Sequence, residues 1–264
     1  DFNRYSIRTK VDHDISEKVT FQLSTILTQT SSGRKDSQSG SRGTSMVNAT
    51  ITAPPTAKPY DDDGLISDIS KVHPFVVPDM INPLYFIEEE DERLRENIVF
   101  ANASLLYKPI KNIILKISGG IENTDARRDI FRTREFRNSD GIAEIGVGKY
   151  TSLLSENTLS YNNTFNEVHS VSAVVGYTFQ QFRNEGFGAR SQGFLSNVFK
   201  TGSLDAASTP GIPTSSFNES TILSWLGRVN YSFNDKYLLT ASFRADGSSR
   251  FSEGNKWGYF PSAA

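Results

Sequence analysis

The sequence predicts an all-β fold, one part of a large antiparallel up-and-down transmembrane β-barrel with short periplasmic turns and long extracellular loops. Three observations predict it. Apolar and polar residues alternate with a period of two over most of the chain. The segments joining those runs alternate between short and long. No apolar stretch approaches the roughly 20 residues a membrane helix needs. The mean hydropathy of −0.40 instead suits strands that offer an apolar side chain to lipid only at every second position.

Taken in order, the alternating runs fall near 3–13, 17–29, 97–108, 112–123, 150–162, 167–180, 221–233 and 236–246, with a ninth beginning at Trp257. In the second run Val19, Phe21, Leu23 and Leu27 oppose Lys18, Thr20, Gln22 and Ser24. In the sixth, Val171, Ala173, Val175, Tyr177 and Phe179 oppose Ser172 and Thr178. Trp225, Val229, Tyr231 and Phe233 oppose Arg228, Asn230 and Ser232 in the seventh. The eighth sets Tyr237, Leu239, Ala241, Phe243 and Ala245 against Lys236, Thr240, Ser242, Arg244 and Asp246, which places Arg244 and Asp246 in a polar barrel interior or at its rim.

A water-soluble sandwich produces the same alternation, so the connections discriminate. Short links are expected at 14–16, 109–111, 163–166 and 234–235, and long ones at 30–96, 124–149, 181–220 and 247–256. Soluble domains seldom carry several long loops without structure of their own. Runs of roughly 11 to 14 residues suit a tilted crossing of about 9 to 11 with some extension. Tyr107, Tyr161, Phe165, Tyr231, Phe233 and Tyr237 cluster beside the short links, where an interfacial aromatic girdle belongs. Helical periodicity is confined to 84–96, and there the acid run from Glu88 to Glu92, followed by Arg93 and Arg95, predicts a solvated helix with charges paired three and four apart.

Lys and Arg total 28 against 30 Asp and Glu, for a formal charge of −2, and no basic run occurs, so nucleic acid is not an expected partner. The chain has no cysteine, which excludes disulfides, thiolate metal sites and cysteine nucleophiles. Residues 1–5 hold no charged-then-apolar leader and 260–264 no domain end, so the chain reads as part of something longer.

Catalytic, cofactor and metal residues are not expected. His13, His73 and His169 lie far apart without ligand spacing. Gly146-Val147-Gly148-Lys149 lacks the first glycine and the Ser or Thr of a phosphate loop, with Ala143 and Tyr150 in those places. Asp61-Asp62-Asp63-Gly64 has no closing glutamate for a calcium loop and predicts an exposed acidic turn. No Gly-x-Ser-x-Gly elbow accompanies a histidine and an acid. What remains is binding spread over loops, in which Tyr60, Phe75, Tyr85, Phe187, Phe194, Phe199 and Phe217 are able to stack on a sugar or cover a peptide; the residues that bind substrate are not assigned.

Residues 231–261 carry a longer signature: the strand from Tyr237 to Asp246, the loop Asp246-Gly247-Ser248-Ser249-Arg250-Phe251, then Asn255-Lys256-Trp257-Gly258 leading into Phe260-Pro261-Ser262. It resembles the barrel signature of SusC/RagA-like TonB-linked outer-membrane transporters. Weaker echoes are Arg4-Tyr5-Ser6-Ile7-Arg8 with Val11-Asp12, Tyr60 through Gly64, Asn82-Pro83-Leu84, and Leu159-Ser160-Tyr161 before Glu167-Val168-His169. The resemblance implies a complete barrel of about 22 strands, an N-terminal plug, a TonB-contacting segment and a SusD-like lipoprotein lid. Residues 1–264 are then a partial barrel domain, stopping mid-strand, with the plug and the closing strands outside it. The implied function is outer-membrane import of bulky nutrients such as oligosaccharides or peptides, without a cofactor and in contact with outer-membrane lipid. A passive porin or adhesin barrel and a soluble all-β carbohydrate-binding or hydrolase module are the alternatives.

Overall fold

A computed structural model describes residues 1–35, 45–72 and 80–264. Its strands are β1 (Phe2–Ser16), β2 (Val19–Arg34), β3 (Glu90–Tyr107), β4 (Ile113–Arg132), β5 (Ile142–Phe165), β6 (His169–Phe194), β7 (Ala207–Pro210), β8 (Thr214–Phe233), β9 (Tyr237–Ser248) and β10 (Trp257–Ala263). They form one antiparallel sheet in the order β1-β2-β3-β4-β5-β6-β8-β9-β10, with the short β7 set against the end of β6. Each long strand thus pairs with its neighbour in sequence, as an up-and-down meander requires. The path does not return from β10 to β1, so the sheet is open.

Alternation and turn chemistry together fix the hairpins. The β5–β6 turn places Asn166 and Glu167 at φ 47° and 61°, and the β8–β9 turn places Asn234 and Asp235 at 53° and 51°. Two successive positive φ values, closed by Val168 N–H to Phe165 O and Lys236 N–H to Phe233 O, make type I′ turns, whose twist matches the flanking strands. Glycine is needed for space at Gly247, where an added Cβ would lie 3.0 to 3.1 Å from the Trp257 ring carbons.

The structure corrects two expectations. The strands run well past the predicted ends on the long-loop side, so the links expected at 124–149 and 181–220 shrink to 133–141 and 195–213. Backbone pairing continues there with charged and apolar residues mixed on one face, Lys149 and Glu185 beside Val147 and Phe187, and an alternation of hydrophobicity does not register it. The helix expected over 84–96 is only one turn, Leu84–Glu88, and the acid run after it belongs to β3. Its charges pair across the ladder: Arg132 Nε lies 2.7 Å from Glu90 and Arg128 Nε 2.8 Å from Glu92, with both glutamates 3% exposed. Cross-strand partners made β the better solution for this segment.

The registers have a simple consequence. Along the path β1 to β10, the short β7 apart, every ladder joins residues of equal parity, for example Val99 with Asn123, Asn123 with Thr151 and Thr151 with Arg183, with one irregularity at Asp14/Ser16. Odd-numbered strand residues therefore share one face of the sheet and even-numbered ones the other.

Among the described residues there is no central core, and two small clusters sit at the long-loop end: Ala49, Phe86 and Phe136, with Met46, Ile81 and Tyr85 against them, and Phe131, Ala143 and Phe194, with Leu204, Ala206 and Ala207. The first joins helices α1 (Met46–Thr52) and α2 (Leu84–Glu88) to the β4–β5 loop. The second folds the 195–210 segment over the ends of β4 to β6.

Candidate functional site: a two-faced wall and a loop cavity

On the odd face, the strand segments 19–27, 99–107, 113–121, 153–161, 171–179, 223–233 and 237–245 contain no Asp, Glu, Lys or Arg. Val175, Trp225 and Phe243 expose 58%, 50% and 50% of their surface there. A continuous exposed apolar sheet face of this kind is a surface for another apolar phase. One run such as 99–107 is about 30 Å long at about 3.3 Å per residue, which after tilting gives the roughly 25 Å apolar band of an outer-membrane barrel. The tilt is visible in the registers. The band's upper edge is set by the paired Leu27 and Val99, then drops one same-face row to the paired Ile121 and Leu153, and another to Phe179 and Leu223. Tyr107, Tyr161, Phe165, Tyr231, Phe233 and Tyr237 all lie on the odd face by the short turns, where the girdle was expected. His169 joins it, its Nδ1 2.7 Å from the Tyr231 hydroxyl.

The even face holds the charges over the same height, carrying Arg8, Lys10, Asp12, Lys116, Glu156, Arg228 and Arg244 among apolar residues such as Phe100, Ile114 and Leu226. One ladder row runs Asp12, Gln22, Ser104, Ser118, Glu156, Thr178, Ser224, Asp246 across the sheet. Along it the Ser104 hydroxyl donates to Gln22 at 3.2 Å and the Ser118 hydroxyl to the Glu156 carbonyl at 2.7 Å. Arg244 donates to Ser224 at 3.3 Å and pairs with Asp246 at 2.7 Å. This wall suits a wet lumen.

Above the wall, the described part of the β2–β3 loop is folded. Asn82, 4% exposed, donates to the carbonyls of Pro59 and Ser67, both at 3.0 Å, and accepts from Leu84 N–H at 3.1 Å. Asp61 accepts from the N–H groups of Asp63 and Leu65 at 3.0 and 2.9 Å, closing the exposed acidic turn with Gly64 at φ 80°. The β4–β5 loop clasps this assembly through Arg137, which donates to Met80 O at 2.5 Å and Ser70 Oγ at 2.7 Å and lies 3.5 Å from Asp68. Burial by itself would raise the Asp68 carboxyl. The Ser70 hydroxyl and N–H and the Arg137 charge outweigh burial and hold Asp68 below its usual range.

Between the two loops lies a cavity of about 660 Å³ lined by Tyr60, Asp61, Asp68, Lys71, Tyr85, Glu88, Glu89, Glu135 and Arg137, among others. The Tyr60 hydroxyl donates to Glu88 at 2.5 Å, which pushes its phenol upward, and burial, then the Asp68 charge, raises Tyr85. Two phenols, several carboxylates and few cations make a lining suited to ligands rich in hydroxyl or ammonium donors.

No family model matches the chain. It is 28% identical to the TonB-dependent receptor P3 of Formosa agariphila over 99% of its own length and 26% of that protein, and 30% identical to the TonB-dependent receptor SusC of Bacteroides thetaiotaomicron over 69% of its length and 18% of that protein. The chain is a relative of the TonB-dependent receptors, SusC among them. Its fold matches a chain in the structure of the RagAB peptide transporter with a TM-score of 0.85 at 23% identity, covering 99% of this chain and 30% of that one. It is an outer-membrane chain, and it spans about a quarter of the length of the first receptor it matches.

Within this receptor barrel the residues singled out in the sequence separate. Tyr60 and Tyr85 meet at the loop cavity, and the 60–64 and 82–84 elements converge around it. Phe187 and Phe217 are strand residues of the exposed outer face rather than loop residues, Phe217 lying under the Arg183 guanidinium at 5.0 Å. Phe194 is 2% exposed and anchors the second cluster, while Phe199 is exposed on its loop. Gly146 to Lys149 lie mid-strand in β5, and His13 lies in β1, far from His169. His73 and Phe75 fall outside the described residues. The sequence reading missed Arg137, Glu89 and Glu135, whose signal is a tertiary meeting of two loops that no spacing encodes.

Proposed function

We propose that this chain is a sector of the barrel of a TonB-dependent importer of bulky nutrients, oligosaccharides or peptides, and that residues 1–264 act with a plug, further strands, a SusD-like lipoprotein lid and the TonB complex. The observation that carries the reading is the segregation of charge by parity: a charge-free outer band on one face, the charged wall on the other, and a loop cavity above that wall. The similarity to receptors of this name supports it. Ligand is captured among the outer loops, passes along the even face, and moves on energy delivered from the periplasm to the plug. Nothing in this scheme calls on catalytic, metal or cofactor residues.

The test uses cells that express the complete receptor and take up fluorescent oligosaccharides or peptides. Uptake that vanishes on deleting either the receptor gene or TonB supports the proposal. Uptake that needs the receptor but continues without TonB makes it a passive barrel.

A further inference from the structure

We propose that the outer face of β3 to β5, just beyond the apolar band, seats the anionic sugar-phosphate headgroup of an outer-leaflet glycolipid. The proposal rests on the odd face being the lipid face, and it starts from a feature that this assignment leaves unexplained. Arg95 and Arg127 stand directly opposite each other on β3 and β4. A directly opposed like-charge pair destabilises a sheet. Both arginines turn to one carboxylate, Asp129, at 2.6 and 2.9 Å, and still expose 51% and 45% of their side chains.

The surrounding charge does not balance on this side. Arg93 faces Asp129 across the ladder, and Lys149 stands between Asp125 and Glu185, the latter already paired with Arg183 at 2.8 Å, so four cations are left with two carboxylates. Asp91, a further acid nearby, is already held by Lys200 at 2.8 Å. Guanidinium forks match phosphate oxygens in pairs. The same patch is concave: a cavity of about 600 Å³ there is lined by Asn3, Tyr5, Gln29, Arg95, Asn97 and Arg127, among others, which adds amide and phenol groups for sugar hydroxyls.

Position selects an amphiphile over a free anion. One same-face row below Gln29, Asn97 and Asp125 stand Leu27 and Val99, and Ile121 and Leu153 follow a row further down. A lipid whose acyl chains lie on those residues brings its headgroup to the arginines without further loss of freedom.

The test uses the full-length receptor in nanodiscs of phosphatidylcholine doped with a diphosphorylated, acylated glucosamine disaccharide, with lipid retention counted by native mass spectrometry. Retention of the anionic glycolipid over phosphatidylcholine is expected, falling about fivefold for Lys149→Gln and about 25-fold for Arg95→Gln with Arg127→Gln, at roughly fivefold per charge. Lys149→Gln touches neither Asp129 nor its arginines, so its effect does not depend on their network surviving. Equal retention by wild type and both variants, or equal retention of the two lipids, overturns the proposal. So does displacement of the glycolipid by equimolar inorganic pyrophosphate, which would mark a free-anion site. A fluorophore at residue 175 in the same discs separates the premise: quenching by nitroxide-bearing lipid upholds the face assignment whatever the retention shows, and its absence overturns premise and proposal together.

Discussion

Placing one arginine on each face of the same strand puts the two-faced wall to a quantitative test. Val175 lies mid-band on the odd face and exposes 58% of its surface; Thr178, three residues along β6, lies on the even face between Glu156 and Ser224 in the polar row. Val175→Arg puts a guanidinium into hydrocarbon, at a cost of about 2–4 kcal/mol near the midplane. That is roughly a 30- to 1000-fold loss in the folded-to-unfolded ratio. Thr178→Arg points the same group into a wet lumen beside the Glu156 carboxylate, so it costs well under about 1 kcal/mol. Urea titration of the full-length receptor in lipid vesicles, followed by heat modifiability on gels, measures both. Equal destabilisation by the two arginines, or a larger loss from Thr178→Arg, refutes the assignment of faces.

Three further outcomes follow from the loops and turns. Arg137→Ala removes three contacts of a side chain that is 12% exposed, so the β2–β3 loop undocks by about 2 kcal/mol and limited proteolysis of the intact receptor cuts that loop at least tenfold faster. The pH dependence of the clasp has a definite sign. Asp68 is held below the ordinary range of a carboxyl, so its contribution is fully present above about pH 4 and fades as pH falls through the lower folded value; loop cleavage by an acid-active protease rises only there. Glu167→Gly relieves a side chain at φ 61° in a type I′ turn and raises stability by about 1 kcal/mol in the same urea titration.

Much of the architecture was legible because the bilayer imposes the period-2 pattern. Tyr237, Leu239, Ala241, Phe243 and Ala245 had to alternate with polar partners for a strand to face lipid and water at once, and the short links declared themselves through pairs such as Asn234-Asp235. Beyond the bilayer that constraint lapses. Arg127, Arg128 and Asp129 continue β4 with charges on both faces, and only their partners on β3 reveal a strand. The acid run failed as a helix for the same reason: spacing three and four apart is read from one segment, whereas Glu90 and Glu92 are paired with arginines of another strand. The loop cavity was half legible. Tyr60 and Tyr85 stood out as aromatics, but Arg137 and Glu135 reach the cavity from a loop some 50 residues further along the chain, and nothing local marks them.

The most direct measurement of the central claim is a nitroxide scan of residues 171–180 of β6 in the full-length receptor in lipid vesicles, reading collision with oxygen and with a water-soluble nickel chelate. The account predicts a period of two, with odd positions rich in oxygen collisions and even positions rich in nickel collisions. Collision profiles that do not alternate, or that alternate with the opposite parity, would contradict it.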